Sequence, residues 1–193
     1  MSKVKNILLV GVGGQGTILA SKILSAGLME AGYDVKMSEI HGMSQRGGNV
    51  STQIRFGKKV SSPIMGIGEA DIIVAFEKME ALRWIEYLKP GGELVINDFE
   101  IPTVPNQIGA EAYPENILDT LRAAIPNTVV IKAGEEAQAI GSAKAMNIVL
   151  LGALAKAMHL YEIHWEDLIR KNVKKEFETL NWNAFQAGFG LQN

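Results

Sequence analysis

Residues 5–16 read KNILLVGVGGQG, an apolar stretch that runs into a cluster of glycines. Lys5–Val10 is short and apolar and is followed at once by glycine, which predicts a buried parallel strand. An apolar repeat then predicts a helix over Gly14–Met29, in which Leu19, Ile23 and Ala26 share one face. A strand, a glycine-rich turn and a helix in this order indicate the first unit of an α/β fold.

The turn itself matches the dinucleotide-binding pattern G-x-G-x-x-G, with Gly11, Gly13, Gly14, Gln15 and Gly16 as its candidate cofactor-binding residues. Glycines permit a tight turn and a close approach of a ligand to the backbone, and the helix that follows offers free N–H groups to an anion. The lysine of a P-loop is missing, because Thr-Ile follows the last glycine. The alternative is that the glycines serve only the packing of helix against strand.

The rest of the chain continues the alternation of strands and helices. Further strands are predicted at Tyr33–Ile40, Asn49–Phe56, Asp71–Phe76, Glu93–Asn97 and Thr128–Lys132, and further helices at Lys78–Leu88, Asn116–Ala124, Ala143–Met158 and Trp165–Leu180. This order predicts a Rossmann-like, doubly wound, mostly parallel sheet with helices on both faces. We see no linker or internal repeat, so we expect a single domain over residues 1–193.

One predicted strand differs from the others. Asn49–Phe56 alternates strictly between apolar or threonine positions and polar positions. Strict alternation is typical of a strand with one face in water, so we expect a half-exposed strand that is antiparallel or lies at the edge of the sheet.

A second candidate binding element is the loop HGMSQRGG at residues 41–48. Ser44, Gln45 and Arg46 supply hydrogen-bond donors and a planar cation that suits carboxylate or phosphate, and Gly47 and Gly48 allow a close backbone approach. The loop follows the second strand, so we expect it at the same sheet edge as the glycine turn, where open α/β sheets bind ligands. The alternative is a surface turn in which the arginine pairs with an acid such as Glu39.

Isolated polar residues give weaker signals. Asn147 lies on the apolar helix after Ser142 and Lys144, and is either a satisfied core amide or part of the site. His41, Glu77 and Asp98 lie at strand ends and are expected to be turn or capping residues. No pattern indicates a catalytic residue.

Composition excludes several classes of protein. The chain has no cysteine, so it provides neither a disulfide nor thiolate ligands for an iron–sulfur cluster, and its 3 histidines do not have the spacing of a zinc site. A net charge of -2 without a basic stripe argues against nucleic-acid binding. No apolar run reaches the length of about 20 residues that a membrane helix needs. The N-terminus enters a strand directly, so we expect no signal peptide and a cytoplasmic protein.

Together, the two glycine-containing elements resemble a known family. The chain is similar to the gamma-type subunits of 2-oxoacid:ferredoxin oxidoreductases, and within them it is most similar to the indolepyruvate-type subunits. The similar segments cover most of the chain: Asn6–Leu24, Ser38–Gly57, Gly68–Arg83, Leu88–Asp98 and Ala145–Lys156.

The resemblance implies a role inside a complex. Such complexes oxidatively decarboxylate a 2-oxoacid to an acyl-coenzyme A and pass the electrons to ferredoxin. It implies that thiamine diphosphate and the iron–sulfur clusters are bound by a partner alpha-type subunit, and that this chain is non-catalytic. It marks Gly11–Gly16 and Gly42–Gly48 as candidate elements for binding coenzyme A or the partner.

Two other functions remain open from the residues alone. A stand-alone NAD(P)-dependent dehydrogenase would use the glycine turn together with an acid for the ribose, and Glu39 is the nearest candidate, although it comes late in the sequence. A nucleotide-binding regulatory module would use the turn without any chemistry.

Overall fold

A computed structural model describes residues 4–42 and 47–191 of the chain. The strands are β1 (Lys5–Val12), β2 (Asp34–His41), β3 (Asn49–Gly57), β4 (Ala70–Ala75), β5 (Leu88–Asn97) and β6 (Thr128–Ile131). The helices are α1 (Thr17–Glu30), α2 (Lys78–Trp84), α3 (Val104–Gln107), α4 (Ile117–Ala124), α5 (Ala133–Ile140), α6 (Met146–Ala157), α7 (Trp165–Asn172) and α8 (Glu178–Gly190).

The six strands form one sheet in the order β2-β3-β1-β4-β5-β6. Neighbouring pairs among β1, β4, β5 and β6 are parallel, whereas β3 is antiparallel to both β1 and β2. The prediction of a mostly parallel sheet is therefore confirmed.

Helices cover both faces of the sheet, as predicted. Alternate residues of β1 point to opposite faces. Ile7 and Leu9 belong to a core that includes residues of α1, α5, α6, α7 and α8. Leu8 and Val10 belong to a smaller core built with α2 and α4. Burial on both faces explains why β1 is a continuous apolar run rather than an alternating one. Across the described ranges, no helix combines the length and apolar character needed to cross a membrane.

The prediction for Asn49–Phe56 is half right. The strand is antiparallel, but it lies between β2 and β1 and is buried on both faces. Its polar face is covered by the chain that follows it: the Gln53 side-chain oxygen accepts the Met65 N–H at 2.8 Å, and the Arg55 guanidinium donates to the Ile64 carbonyl at 2.6 Å. The polar positions of the pattern therefore bond to protein rather than face water.

The predicted helix Trp165–Leu180 is wrong, because it is two helices. The first, α7, ends at Asn172, and Val173 takes an extended conformation. The Asn172 side chain bonds back to the Leu168 carbonyl at 2.8 Å, the kind of local bond with which asparagine competes against helix continuation. The sequence did not predict α5 or α8.

Helices α6 and α8 make backbone contact through two glycines. A Cβ on Gly188 would lie 1.8 Å from the Val149 carbonyl oxygen, and one on Gly152 would lie 2.2 Å from the Phe185 carbonyl oxygen. Atoms cannot approach so closely, so any side chain at either position would push the two helices apart.

We expect Gly188→Ala to destabilise the protein by about 1–3 kcal/mol, the usual cost of overpacking a core, although alanine is the better helix former. Gly190→Ala in the same helix is the control, because nothing lies within 4 Å of its Cβ position. Urea unfolding measures both variants, and equal midpoints for the two would contradict the close contact.

Candidate functional site

The glycine turn connects β1 to α1 at the carboxyl edge of the sheet. The strand continues through Val12. Helix α1 begins at Thr17, whereas the sequence predicted that it would begin at Gly14. Gly14 and Gly16 have φ of 101° and 80°, in the left-handed region that favours glycine. The motif therefore forms a tight turn, and two of its glycines are required by the backbone conformation.

Gln15 braces this turn from inside. Its side-chain oxygen accepts the Val12 N–H at 2.7 Å, and its side-chain nitrogen donates to the Phe76 carbonyl at 2.8 Å. One amide side chain therefore links the end of β1 to the residue after β4. The sequence predicted Gln15 as a ligand-binding residue, whereas the structure shows its amide bonded to the protein at both ends.

Asn97 extends the same link across the sheet. Its side-chain nitrogen also donates to the Phe76 carbonyl, at 3.1 Å, and its side-chain oxygen accepts the Ala133 N–H at 3.0 Å. Asn97 is fully buried, so these bonds replace the hydrogen bonds that its amide would make to water. The ends of β1, β4 and β5 and the start of α5 are thus connected through two amides that share one carbonyl.

Asn147 contacts the turn from the opposite side. It is buried, and its side-chain nitrogen donates to the Gly16 carbonyl at 3.1 Å. A Cβ on Gly16 would lie 2.6 Å from that nitrogen. The sequence left open whether Asn147 reaches the site, and the structure places it there. Ser142 and Lys144 bond to each other instead. The Ser142 hydroxyl accepts the backbone N–H of Lys144 at 3.3 Å, which forms a local helix cap.

Packing accounts for Gly11 as well. A Cβ there would lie 2.8 Å from the Gln15 side-chain oxygen and 2.9 Å from the Phe76 Cβ. Gly14 is different, because it is exposed and no atom lies within 4 Å of its Cβ position. A ligand approaching the turn therefore meets its open side at Gly14.

The described end of the second loop lies directly against the turn. Gly13 donates its N–H to the Gly48 carbonyl at 2.8 Å, and Gly47 donates to the Gly13 carbonyl at 3.5 Å. The predicted proximity of the two elements is thus confirmed for these glycines. Ser44, Gln45 and Arg46 lie outside the described residues. A binding role for any of these residues stays a prediction.

The other strand-end residues are engaged by the fold. Glu39 accepts a hydrogen bond from the Ser21 hydroxyl at 2.9 Å. Asp98 pairs with Lys78 at 3.3 Å. His41 approaches Glu39 at 3.9 Å. Glu39 is therefore held against α1.

A cavity of about 190 Å³ adjoins the glycine turn. On one side of the cavity lie the end of β1 and the described end of the second loop, and on the other side lie α2 and α3. Its lining includes Val12, Gly47, Glu77, Glu80, Arg83 and Val104. Larger cavities, of about 510, 490, 500 and 350 Å³, include no residue of the turn. The one of about 350 Å³ lies next to the cavity of about 190 Å³, because Met79, Arg83 and Thr103 line both of them.

Glu77 is the N-cap of α2, and the fold uses both of its carboxylate oxygens. One oxygen accepts the Glu80 N–H at 3.0 Å, and the other accepts bonds from the Tyr113 hydroxyl and the Ile101 N–H. Burial, together with the bond to Glu77, raises the pKa of Tyr113. Glu77 is a capping residue, as expected from its position.

Glu80 is the unusual member of the lining. Its side chain is 2% exposed, and one oxygen pairs with Arg83 at 2.9 Å. The other oxygen, Oε2, is buried and has no hydrogen-bond partner among the residues described. Burial raises the pKa of this carboxyl group, and nearby Glu77 raises it further, while Arg83 and the Trp84 indole lower it. Sequence reasoning missed Glu80, because a lone acid in a helix gives no signal of burial.

No group of three or more histidine, aspartate or glutamate side chains that could hold a metal ion occurs in residues 4–42 and 47–191. Within those ranges, the side chains that hydrogen-bond to the glycine turn carry amides rather than acidic or basic groups. This arrangement can shape and hold a surface.

Comparison with known proteins identifies relatives along almost the whole chain. A family model described as pyruvate ferredoxin/flavodoxin oxidoreductase matches residues 6–191. The indolepyruvate oxidoreductase subunit IorB of Thermococcus kodakarensis is 37% identical over 190 residues, covering 95% of this chain and 93% of the relative. The 2-oxoglutarate synthase subunit KorC of Methanothermobacter marburgensis is 30% identical over 193 residues, covering 95% and 94%.

The fold has solved counterparts. The crystal structure of pyruvate oxidoreductase subunit PORC from Thermotoga maritima aligns with a TM-score of 0.72 at 22% identity, covering 98% of this chain and 97% of that one. At this identity the likeness concerns the fold.

We expect Gln15→Ala to destabilise the protein by about 1–3 kcal/mol, because the Val12 N–H loses its partner in a partly buried place. Gln186→Ala, on the exposed face of α8, is the control and should change stability by less than about 0.5 kcal/mol. Chemical unfolding measures the stability of both variants. If Gln15→Ala leaves the stability unchanged, water has replaced the Gln15 side chain as the partner of the Val12 N–H.

We expect Glu80→Gln to raise stability at neutral pH and to have less effect near pH 4. A pKa raised by folding means that the folded state binds the proton more tightly than the unfolded state, so stability is lost as pH rises through the folded pKa. Glutamine cannot ionise and avoids that loss. Thermal unfolding of both proteins across this pH range tests the prediction, and a stability difference that does not change with pH would contradict it.

Proposed function

Because the chain belongs to the pyruvate ferredoxin/flavodoxin oxidoreductase family, we propose that it is the small, non-catalytic subunit of a 2-oxoacid:ferredoxin oxidoreductase. The observation that carries this proposal is the match over residues 6–191. The relatives named as subunits are likewise covered over more than nine-tenths of their length. The likeness thus concerns a whole subunit and is not confined to a shared motif.

The proposed substrate class of the complex is an aromatic 2-oxoacid of the indolepyruvate type. The indolepyruvate subunit is 37% identical, against 30% for the 2-oxoglutarate subunit. The difference supports a closer relation to the first group. We assign recognition of the indole ring to the partner subunit, because the described residues that line the cavity beside the glycine turn are aliphatic, polar and charged, and none of them is aromatic.

The chemistry is assigned to a partner. A chain without cysteine provides no thiolate for an iron–sulfur cluster. In this proposal a large alpha-type subunit binds thiamine diphosphate and the clusters, coenzyme A is a co-substrate, and ferredoxin accepts the electrons in the cytoplasm. Those groups supply the decarboxylation and the electron transfer, and we derive no reaction step from this chain.

What this chain contributes is a rigid edge. Gln15, Asn97 and Asn147 fix the turn through buried or partly buried bonds, and Gly13 fixes the end of the second loop. A surface fixed in this way loses little conformational entropy when a ligand or partner binds to it. We propose that Gly11–Gly16 and Gly47–Gly48, with Ser44, Gln45 and Arg46 on sequence grounds, bind coenzyme A or the neighbouring chain.

The second candidate, a dinucleotide-dependent dehydrogenase, is supported only by the G-x-G-x-x-G pattern. The pattern has a structural explanation here, because Gln15 and Asn147 fill the space beside two of its glycines. Glu39, the candidate ribose acid, is already bonded to Ser21. The same points weaken a nucleotide-binding regulatory module.

We expect the tagged chain, when purified from its native cell, to bring with it a large subunit whose absorption spectrum shows the broad band of iron–sulfur clusters. The isolated chain should neither contain these groups nor turn over indolepyruvate. Recovery of the chain alone from cells that also express the large subunit would count against the proposal, and so would turnover by the chain itself.

A calorimetric titration with NAD and NADP separates the alternatives. Micromolar binding would support the dehydrogenase or the regulatory module, whereas no heat of binding is expected for the subunit.

A further inference from the structure

We propose that the cavity at Glu80 and the apolar surface of α3 beside it form a docking site for the large partner subunit, which inserts one basic side chain, lysine or arginine, into the cavity. The inference rests on the proposed function, because it names the surface through which the subunit would bind.

The buried acid has one oxygen that accepts no hydrogen bond from the described part of the chain, although Arg83 holds the other oxygen and the Trp84 indole lies close enough to lower the pKa of the group. Oε2 of Glu80 has no hydrogen-bond partner there, although the side chain is 2% exposed. Leaving a carboxylate oxygen buried without a partner is costly, and buried acids in folded proteins are normally paired. A cationic N–H donor from outside would satisfy this oxygen.

The other charged groups in the cavity are already used. Arg83 pairs with the opposite oxygen of Glu80, and the two oxygens of Glu77 accept bonds from the protein. Oε2 of Glu80 is the carboxylate oxygen of this cavity that accepts no hydrogen bond from the described residues. The volume of about 190 Å³ is that of several water molecules and suits the end of one long side chain.

Exposed apolar side chains occur at the cavity and in the chain segments on either side of its α3 lining. Val104, which itself lines the cavity, is 68% exposed, and Ile108 at the end of the same helix is 73% exposed. Phe99, just before this segment, is also exposed. A polar anchor beside exposed apolar residues is the usual composition of a strong contact in a protein interface.

Charge indicates the nature of the partner. Residues 98–116 contain four acids and neither lysine nor arginine. Lys78 pairs with both Asp98 and Glu100, so one positive charge there faces two negative charges, and no ion pair to Glu111 or Glu115 occurs in the described ranges. An acidic apolar surface is complementary to a basic one, which favours a partner whose contact residues carry positive charge.

The location of the surface connects it to the glycine turn. Val12 and Gly47 line the same cavity as Glu80 and Val104. A partner bound at α3 would therefore extend to the end of β1, where the glycine turn begins. Docking and the candidate binding turn would belong to one continuous contact.

The test measures the affinity of the separately purified chain for its large subunit by biolayer interferometry. We expect Glu80→Gln to weaken binding about tenfold or more, as for the loss of a hydrogen bond between charged groups. Val104→Lys should weaken it by a similar factor, and Val104→Asp should weaken it less, because a basic partner tolerates an acid. Ile67→Lys is the matched control: Ile67 is 65% exposed, precedes the amino end of β4, and should change affinity less than twofold.

The outcomes separate this inference from the proposed function. If the unaltered chain does not bind the large subunit, the proposed function fails. If the unaltered chain binds and Glu80→Gln binds equally well, while its melting temperature shows it to be folded, water satisfies the acid and the docking site is overturned. Equal losses for Val104→Lys and Val104→Asp would overturn the basic partner. If these variants bind the large subunit normally but no longer self-associate, the surface at Glu80 and α3 binds a second copy of the chain, and the proposed docking site is overturned.

Discussion

The carbonyl group of Phe76 holds the carboxyl edge of the parallel strands together. It accepts hydrogen bonds from the side chains of Gln15 and Asn97, which come from two different parts of the chain. Each of these amides uses its oxygen to accept a further backbone N–H. Parallel strands are joined by distant connections, and their ends have no hairpin to keep them in line. Here the side-chain amides of Gln15 and Asn97 keep the strand ends aligned.

This network changes the meaning of the glycine motif. Gly11 and Gly16 leave the space that Gln15 and Asn147 occupy, so the motif is explained by contacts within the protein. The open side of the turn at Gly14, and the cavity beside it, are the parts left for a ligand or partner. A motif can therefore keep the backbone of a nucleotide-binding turn while its interior is filled by the protein's own side chains.

Much of the fold follows from local pattern. β1 was predictable because a strand buried on both faces is a continuous apolar run, and the turn because several glycines follow it. Prediction failed where a tertiary contact decided the outcome. The alternation in β3 suggested that one face meets water, but the chain that follows the strand folds back and bonds to its polar face. The candidate site shows the same division: its place at the sheet edge was predictable, whereas the roles of Gln15 and Glu80 depend on which groups lie across from them.

The backbone contact between α6 and α8 has a consequence for how this sequence can change. At Gly152 and Gly188 the two helices are as close as their main chains allow, so neither position can accept a side chain while the other helix stays in place. Since Asn147 on the first turn of α6 bonds to Gly16, separating the helices would also disturb the glycine turn. A substitution in α8 can therefore alter the glycine turn, although the two are far apart in the sequence.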